Sequence, residues 1–315
     1  RQRQMCIRDR SHPFWFQSLG CVLGFDWHSS GLTTTVSAAL KEGIAGIEKD
    51  LGLFIAGGKG SASRKTPEEI ESFGDIVETD PSRLIYASRM AAKVDTVALQ
   101  DGYQLYHHIF IFNKKGLWAV IQQGMNERTR YARRYHWLGE KVSSFVVEPH
   151  SGICSEGRGE VLNLVAKESE GARKTIVGIV RDEGFEKTIR DFRKVRELVM
   201  PSHHHLDYDM KFDNFKKGLA LLKEAEPTDF EELIGVKGVG PKMIRALSLL
   251  SEVVHGEKPS FEDPARYSFA HGGKDGHPYP VDRDTYERSI EILRRAIERA
   301  RIERSLKVKM QKRLL

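Results

Sequence analysis

The chain is poor in cysteine. Only three of its 315 residues carry a thiol (Cys6, Cys21 and Cys154), and no two stand in CxxC spacing. That excludes a disulfide framework and a thiolate metal centre, and it suits a reducing cytoplasm. No apolar run approaches the roughly 20 residues that a membrane-spanning helix requires, and no segment has the form of a signal peptide. Two catalytic signatures are missing as well. There is no GxxxxGK[ST] phosphate loop for nucleotide hydrolysis and no HExxH zinc helix. No internal repeat is visible.

Positive charge is also scarcer than the total implies. The formal net charge is +6, but the opening decapeptide RQRQMCIRDR and the stretch from Arg283 to Leu315 supply all of it. The decapeptide reads as a translated sequencing adaptor ahead of a truncated frame and is set aside. The C-terminal stretch holds eleven basic and five acidic side chains, which leaves residues 11–282 at net −3. A phosphate-binding surface must therefore be local.

What is present reads as an α+β chain. Leu105 to Phe112 and Leu117 to Gln122 are rich in aromatic and β-branched residues, and Asn113-Lys114-Lys115-Gly116 between them reads as a hairpin turn. Apolar residues occupy both faces of these strands, so at least one should be central in its sheet. Pro81 to Gln100 reads as a helix with Leu84, Ala87, Ala91, Val94 and Ala98 along one face and Arg89, Lys93, Thr96 and Gln100 on its polar side. Beyond about Glu160 the pattern is helical. Phe212, Phe215, Leu219 and Leu222 form one stripe, and Ile290, Leu293 and Ile297 another. Met200-Pro201-Ser202-His203-His204-His205 interrupts it. The expected division is thus a mixed domain over 11–200 and a helical domain over 201–315, ending in a basic helix.

The most informative stretch is Phe230 to His255, FEELIGVKGVGPKMIRALSLLSEVVH. Thr228 with Glu231 reads as a capping box opening a first helix, and Pro241 suits the first position of a second. Gly238 and Gly240 supply the freedom of a tight turn and clear space for another backbone. A helix start with open amides attracts anions. The stretch resembles the helix-hairpin-helix element of DNA repair and recombination proteins, which holds backbone phosphate without reading sequence. That resemblance implies phosphate contacts from Lys237, Gly238, Gly240 and Lys242. Helix-hairpin-helix glycosylases carry a G-V-G-x-K string whose lysine is a nucleophile, assisted by a downstream Asp. The resemblance implies Lys242 and Asp282 as candidates for those roles, although the interval between them is longer here and Arg283-Asp284-Thr285 follows.

Two further stretches carry cations. Gly57-Gly58-Lys59-Gly60 through Arg64-Lys65-Thr66-Pro67 ends in a second capping-box pattern, Thr66 with Glu69. Its glycine amides with Lys59, Arg64 and Lys65 would cradle a phosphate. Arg128 to Trp137 interleaves Arg130, Arg133 and Arg134 with Tyr131, Tyr135 and Trp137, the mixture that pairs phosphates and stacks bases in single-strand or RNA binding, or else a helix whose Tyr131, Tyr135 and Trp137 help fill the core while the arginines are solvated. Asp26, His28, His107, His108, Glu148, His150 and His203 to His205 are potential N/O ligands. They close no metal motif, and His107 and His108 should face opposite sides of a strand, so no metal or cofactor is assigned. His271 to Asp282 is a glycine- and proline-rich loop of functional length.

Taken together, GCVLGFDWHSSGLTTTVSAALKEG, SRMAAKVDTVALQDGYQLYHH, WAVIQQGMN, ARRYHWL, MPSHHHLD and SFAHGGKDGHPYPVDR resemble a prokaryotic family known only as a domain of unknown function, seven-six-three. The resemblance implies an intracellular protein and transfers no catalytic residue. The functional expectation is a cytoplasmic nucleic-acid-binding protein of DNA repair or processing, with DNA favoured over RNA and no membrane partner. The alternatives are a nuclease or glycosylase/lyase acting on DNA, and a protein–protein scaffold.

Overall fold

The computed structural model of the chain describes residues 12–22, 31–198 and 211–267, with isolated helical positions between 291 and 308. Its centre is a five-stranded antiparallel sheet of order β1-β3-β4-β5-β6, formed by Leu53–Lys59, Gln104–Asn113, Trp118–Met125, Ala132–Leu138 and His150–Ser155. Two short strands, β2 (Leu99–Gln100) and β7 (Leu162–Asn163), make a separate ribbon. The expected turn at Asn113–Gly116 joins β3 to β4, with the Asn113 side chain accepting from the Lys115 and Leu117 amides at 3.0 Å each.

Strand alternation explains why both sheet faces are covered. Phe54, Ala56, Phe110, Phe112, Val120, Tyr135 and Trp137 point to one side and join the main core. Ile55, Ile109, Ile111 and Ile121 point to the other and pack under α1 (Pro13–Val22) and α2 (Gly31–Gly43), against Phe16, Leu32 and Val36. Central β3 is sealed on both faces, as its apolar run implies.

The remaining helices follow in chain order. Short α3 (Glu48–Leu51), α4 (Ser61–Arg64) and α5 (Thr66–Glu71) flank β1, and α6 (Pro81–Lys93) crosses the main-core face. Then come α7 (Glu170–Arg181), α8 (Phe185–Glu197), α9 (Phe212–Ala225), α10 (Phe230–Gly235) and α11 (Pro241–His255). Asp80 caps α6 by accepting from the Ser82 amide at 2.9 Å, the role a short carboxylate takes before a proline-led helix. The helix expected to reach Gln100 stops at Lys93. A π-turn over Val94–Ala98 follows, and Leu99 and Gln100 turn into β2. All five apolar positions expected on its inner face are buried.

The stripe on α9 is buried at Phe215, Leu219 and Leu222. These residues, with Ile244, Leu247 and Leu250 of α11, belong to the same hydrophobic cluster as Phe54 and Phe110 of the sheet. The parts expected on either side of residue 200 therefore share one core. The second stripe (Ile290, Leu293, Ile297), the His203 to His205 run and the Asp26–His28 cluster lie outside the described residues.

Candidate functional site

Residues Phe230 to His255 form a short helix, a five-residue turn and a longer helix. The cap sits one position later than the sequence pattern suggests. Asp229, not Thr228, accepts from the Glu232 amide at 2.8 Å, and the Glu232 carboxylate reaches back to the Thr228 amide and hydroxyl at 2.7 Å each. Asp229 and Thr228 both fit the cap. The fold chooses the register that buries Phe230, Leu233 and Ile234. Gly238 has φ +92°, a conformation that favours glycine, and Val239 plugs the core beneath it at 2 % exposure. Gly240 caps α11 without a side chain. Lys237 within the turn and Lys242 just after it are exposed.

The turn is tied to the sheet half by polar contacts. Lys93 Nζ donates to the Val239 carbonyl at 2.7 Å, and Gln100 Nε2 donates to that of Pro241 at 2.9 Å. Arg245 Nε closes the set by donating to Gln100 Oε1 at 2.8 Å. Tyr86 Oη donates to Glu231 at 2.5 Å. Burial pushes the Lys93 ammonium below its ordinary pKa, since a half-buried cation has lost part of its hydration. The polar side of α6 is thus the surface on which the turn is seated.

Between these elements lies a cavity of about 610 Å³. Its walls include Arg64 from the β1–α5 connection, Tyr86, Ser88, Arg89 and Lys93 from α6, His107 and His108 from β3, and Gly235 at the end of α10. Three cations from two separated segments therefore converge beside the turn. Burial drives His107 down to about 4, with the charges of His108 and Lys59 acting in the same direction. Its Nε2 meets Ser37 Oγ at 3.2 Å, while Nδ1 has no hydrogen-bond partner among the described residues. His108 is also held below its ordinary value by burial. Both imidazoles are neutral at physiological pH.

The glycine-rich segment differs from the expected open cradle. Gly57 and Gly58 belong to β1 and pair with β3. The Gly57 amide donates to Glu69 Oε2 at 2.8 Å, and the Gly60 amide to the Tyr106 carbonyl at 2.8 Å. Lys41 Nζ bonds the same Glu69 oxygen at 2.6 Å and the Gly57 carbonyl at 2.9 Å. A carboxylate of the chain itself thus takes the amide that was expected to meet phosphate. Glu69 is for that reason no capping partner, and buried Thr66 bonds the Ser63 carbonyl instead. Lys59, Arg64 and Lys65 remain exposed.

The arginine–aromatic stretch departs further from expectation, because from Ala132 to Leu138 it is strand β5 and not a helix. Arg133 and Arg134 lie on β5 at 1 % and 6 % exposure, out of reach of a surface ligand. Arg133 pairs with Asp101 at 3.0 Å and Asp263 at 2.6 Å, and Tyr103 lies against its guanidinium. Arg134 donates to His136, to Thr33 and to Gln17, joining α1 and α2 to the sheet. Tyr135 and Trp137 fill the core. The two arginines are structural because each found acceptors on other elements, a feature absent from local sequence. Arg130 stays exposed in the β4–β5 turn. Asp282 and the loop from His271 lie outside the described residues.

A polar chain crosses the core beside the cavity. Ser88 Oγ lies 2.8 Å from His108 Nε2, and His108 Nδ1 lies 2.8 Å from Gln122 Oε1. Gln122 Nε2 donates to the Ala91 carbonyl at 3.2 Å and to Asp95 at 2.6 Å. Asp95 also accepts from Trp137 Nε1 at 2.9 Å and meets His150 Nε2 at 2.5 Å. His150 lines a second cavity of about 370 Å³. The sequence carried one signal of this chain. Ser88 and Asp95 interrupt an otherwise apolar helix face, and His108 and Gln122 interrupt apolar strands. Among the described residues no group of three His, Cys, Asp or Glu side chains is placed to hold a metal ion, and no helix is long and apolar enough to cross a membrane.

Comparison with known proteins gives one match. The family described as "Protein of unknown function (DUF763)" covers residues 2–281. The chain belongs to this family. The match extends over most of the opening decapeptide set aside above. No curated protein and no solved structure matches the chain.

Proposed function

We propose that this DUF763 protein binds nucleic acid, DNA in preference to RNA, and acts in DNA repair or processing. The turn Val236–Gly240 grips backbone phosphate. The observation that carries this reading is the convergence of Arg64, Arg89 and Lys93 on a cavity whose rim includes Gly235, where the turn begins. Exposed Lys237 and Lys242 flank the start of α11, whose cap residue Gly240 offers no side chain to its amides. Together they make a local cationic surface on a body that is otherwise net acidic, as phosphate binding requires. Lys59, Lys65 and Arg130 are further exposed cations of the proposed track, and buried Arg133 and Arg134 are left out of it. The lyase alternative receives no such support. Lys242 is exposed and lacks the apolar enclosure that activates a Schiff-base lysine.

Fluorescence anisotropy with labelled duplex, single-stranded and abasic oligonucleotides tests this over roughly 50 to 200 mM salt. Binding should weaken steeply with salt. Lys237→Ala/Lys242→Ala should weaken it on every sequence alike and lower the salt slope by about two. Flat binding, or unchanged binding by the double variant, refutes the reading.

A further inference from the structure

The cavity beside the turn contains a serine–histidine pair whose proton positions follow from the network around it. Gln122 Nε2 faces two acceptors, the Ala91 carbonyl and the Asp95 carboxylate. Its Oε1 is therefore the atom turned to His108, and His108 Nδ1 must carry the hydrogen that Oε1 accepts. In a neutral imidazole that leaves Nε2 as an acceptor. Ser88 Oγ then donates its proton to His108 Nε2, at 2.8 Å. This is the relation of a nucleophile to its base, with Gln122 orienting the base and buried Asp95 orienting Gln122.

Two further features set this pair apart from an ordinary buried bond. Ser88 and His108 both line the cavity, as do Arg89, Lys93 and Arg64, which are placed for an anionic reacting centre. Asp95, which holds Gln122, lies in the π-turn that follows Lys93. Such turns are frequent at functional sites.

We propose that Ser88 is a nucleophile and His108 its general base, acting on phosphodiesters bound in this cavity. The proposal deepens the nucleic-acid reading and rests on it for the substrate class. Ser88 Oγ attacks phosphorus as its proton passes to His108 Nε2. The Oγ–P bond forms, the bond to the leaving oxygen breaks, and that oxygen takes a proton from a water molecule, which becomes hydroxide. In the second step this hydroxide attacks the phosphorus of the phosphoserine. The P–Oγ bond breaks, His108 returns its proton to Oγ, and a phosphomonoester leaves. Arg64, Arg89 and Lys93 hold the non-bridging oxygens. Gln122 and Asp95 are positioning residues.

The test uses the full chain with thymidine 5′-(p-nitrophenyl phosphate), a fluorophosphonate probe and p-nitrophenyl acetate. Release of p-nitrophenol is followed together with the intact mass, and any adduct is mapped by peptide sequencing. The expected result is a burst of up to one equivalent from the phosphodiester and an adduct on Ser88. Both should be lost in Ser88→Ala, and the rate should fall at least 100-fold in His108→Gln. Mapping on the wild-type chain does not depend on either variant folding. Oligonucleotide binding with no adduct from any probe overturns the pair and leaves the binding reading intact. Adducts from the fluorophosphonate and the acetate alone overturn the phosphodiester assignment. An adduct on Ser88 from the phosphodiester without oligonucleotide binding supports the pair and refutes the hairpin grip.

Discussion

His107 makes the protein acid-labile in a way that can be isolated. Its side chain is 1 % exposed and its pKa falls from 6.5 to about 4, first because burial strips water from the imidazolium, then because His108 and Lys59 repel it. Between those two values the unfolded chain binds a proton at this position that the folded chain refuses. Stability is therefore fully present above pH 6.5 and is lost as pH falls towards 4. The full difference is on the order of 3 kcal/mol, and about 2 kcal/mol of it should be lost between pH 7 and pH 5. The perturbation is His107→Leu, which keeps most of the volume and forfeits the Ser37 hydrogen bond, at a cost of about 1 kcal/mol at pH 7. Urea unfolding of both proteins at pH 7 and pH 5 gives the four free energies required. Groups that do not interact with His107 contribute alike to both proteins and cancel in the double difference, and relief of the His107–His108 repulsion in the variant widens the expected gap. The wild type should lose about 2 kcal/mol more than the variant. Equal losses would show that His107 is not desolvated in the folded chain and would refute the reasoning.

Two stability predictions follow from contacts that no local pattern reveals. Asp263→Ala removes one of the two carboxylates on buried Arg133, leaves the Asp101 pair intact and should cost about 1.5–3 kcal/mol in chemical unfolding. Arg133→Met strands both buried carboxylates and should cost more, about 3–5 kcal/mol. A smaller loss for Arg133→Met than for Asp263→Ala would refute the pairing. Gly57→Ala places a Cβ 2.3 Å from the His108 carbonyl oxygen at φ +96°. It should cost more than about 2 kcal/mol and lower the melting temperature, because backbone on the far side cannot step aside. An unchanged melting temperature would show that β1 relaxes away from β3 at no cost.

The periodic elements were legible without coordinates, and the reason is local. Alternation in LYHHIFIF encodes a strand covered on both faces, and Leu84, Ala87, Ala91, Val94 and Ala98 encode the buried side of α6. The turn at Asn113–Gly116 is likewise written in side chains that bond their own backbone. Family membership was legible too, since it rests on long strings of residue identity.

Elements whose meaning depends on a distant partner were not legible. The arginines of β5 read as surface cations until Asp101, Asp263, Gln17 and Thr33 arrived from other parts of the chain to bury them. The glycine run read as an anion cradle until Glu69 claimed its amide. The π-turn after Lys93, and the bonding of Ser88 to His108 and of His108 to Gln122 across two elements, follow from no sequence period. Sequence alone determined the β3–β4 hairpin, the helices α6, α9, α10 and α11 and the apolar faces that these elements bury, because short-range sterics and solvent exclusion act through the chain's own periodicity. Tertiary structure alone decided which charges are spent inside the protein and which are left to meet a ligand, because a buried charge persists only where the fold delivers its partner.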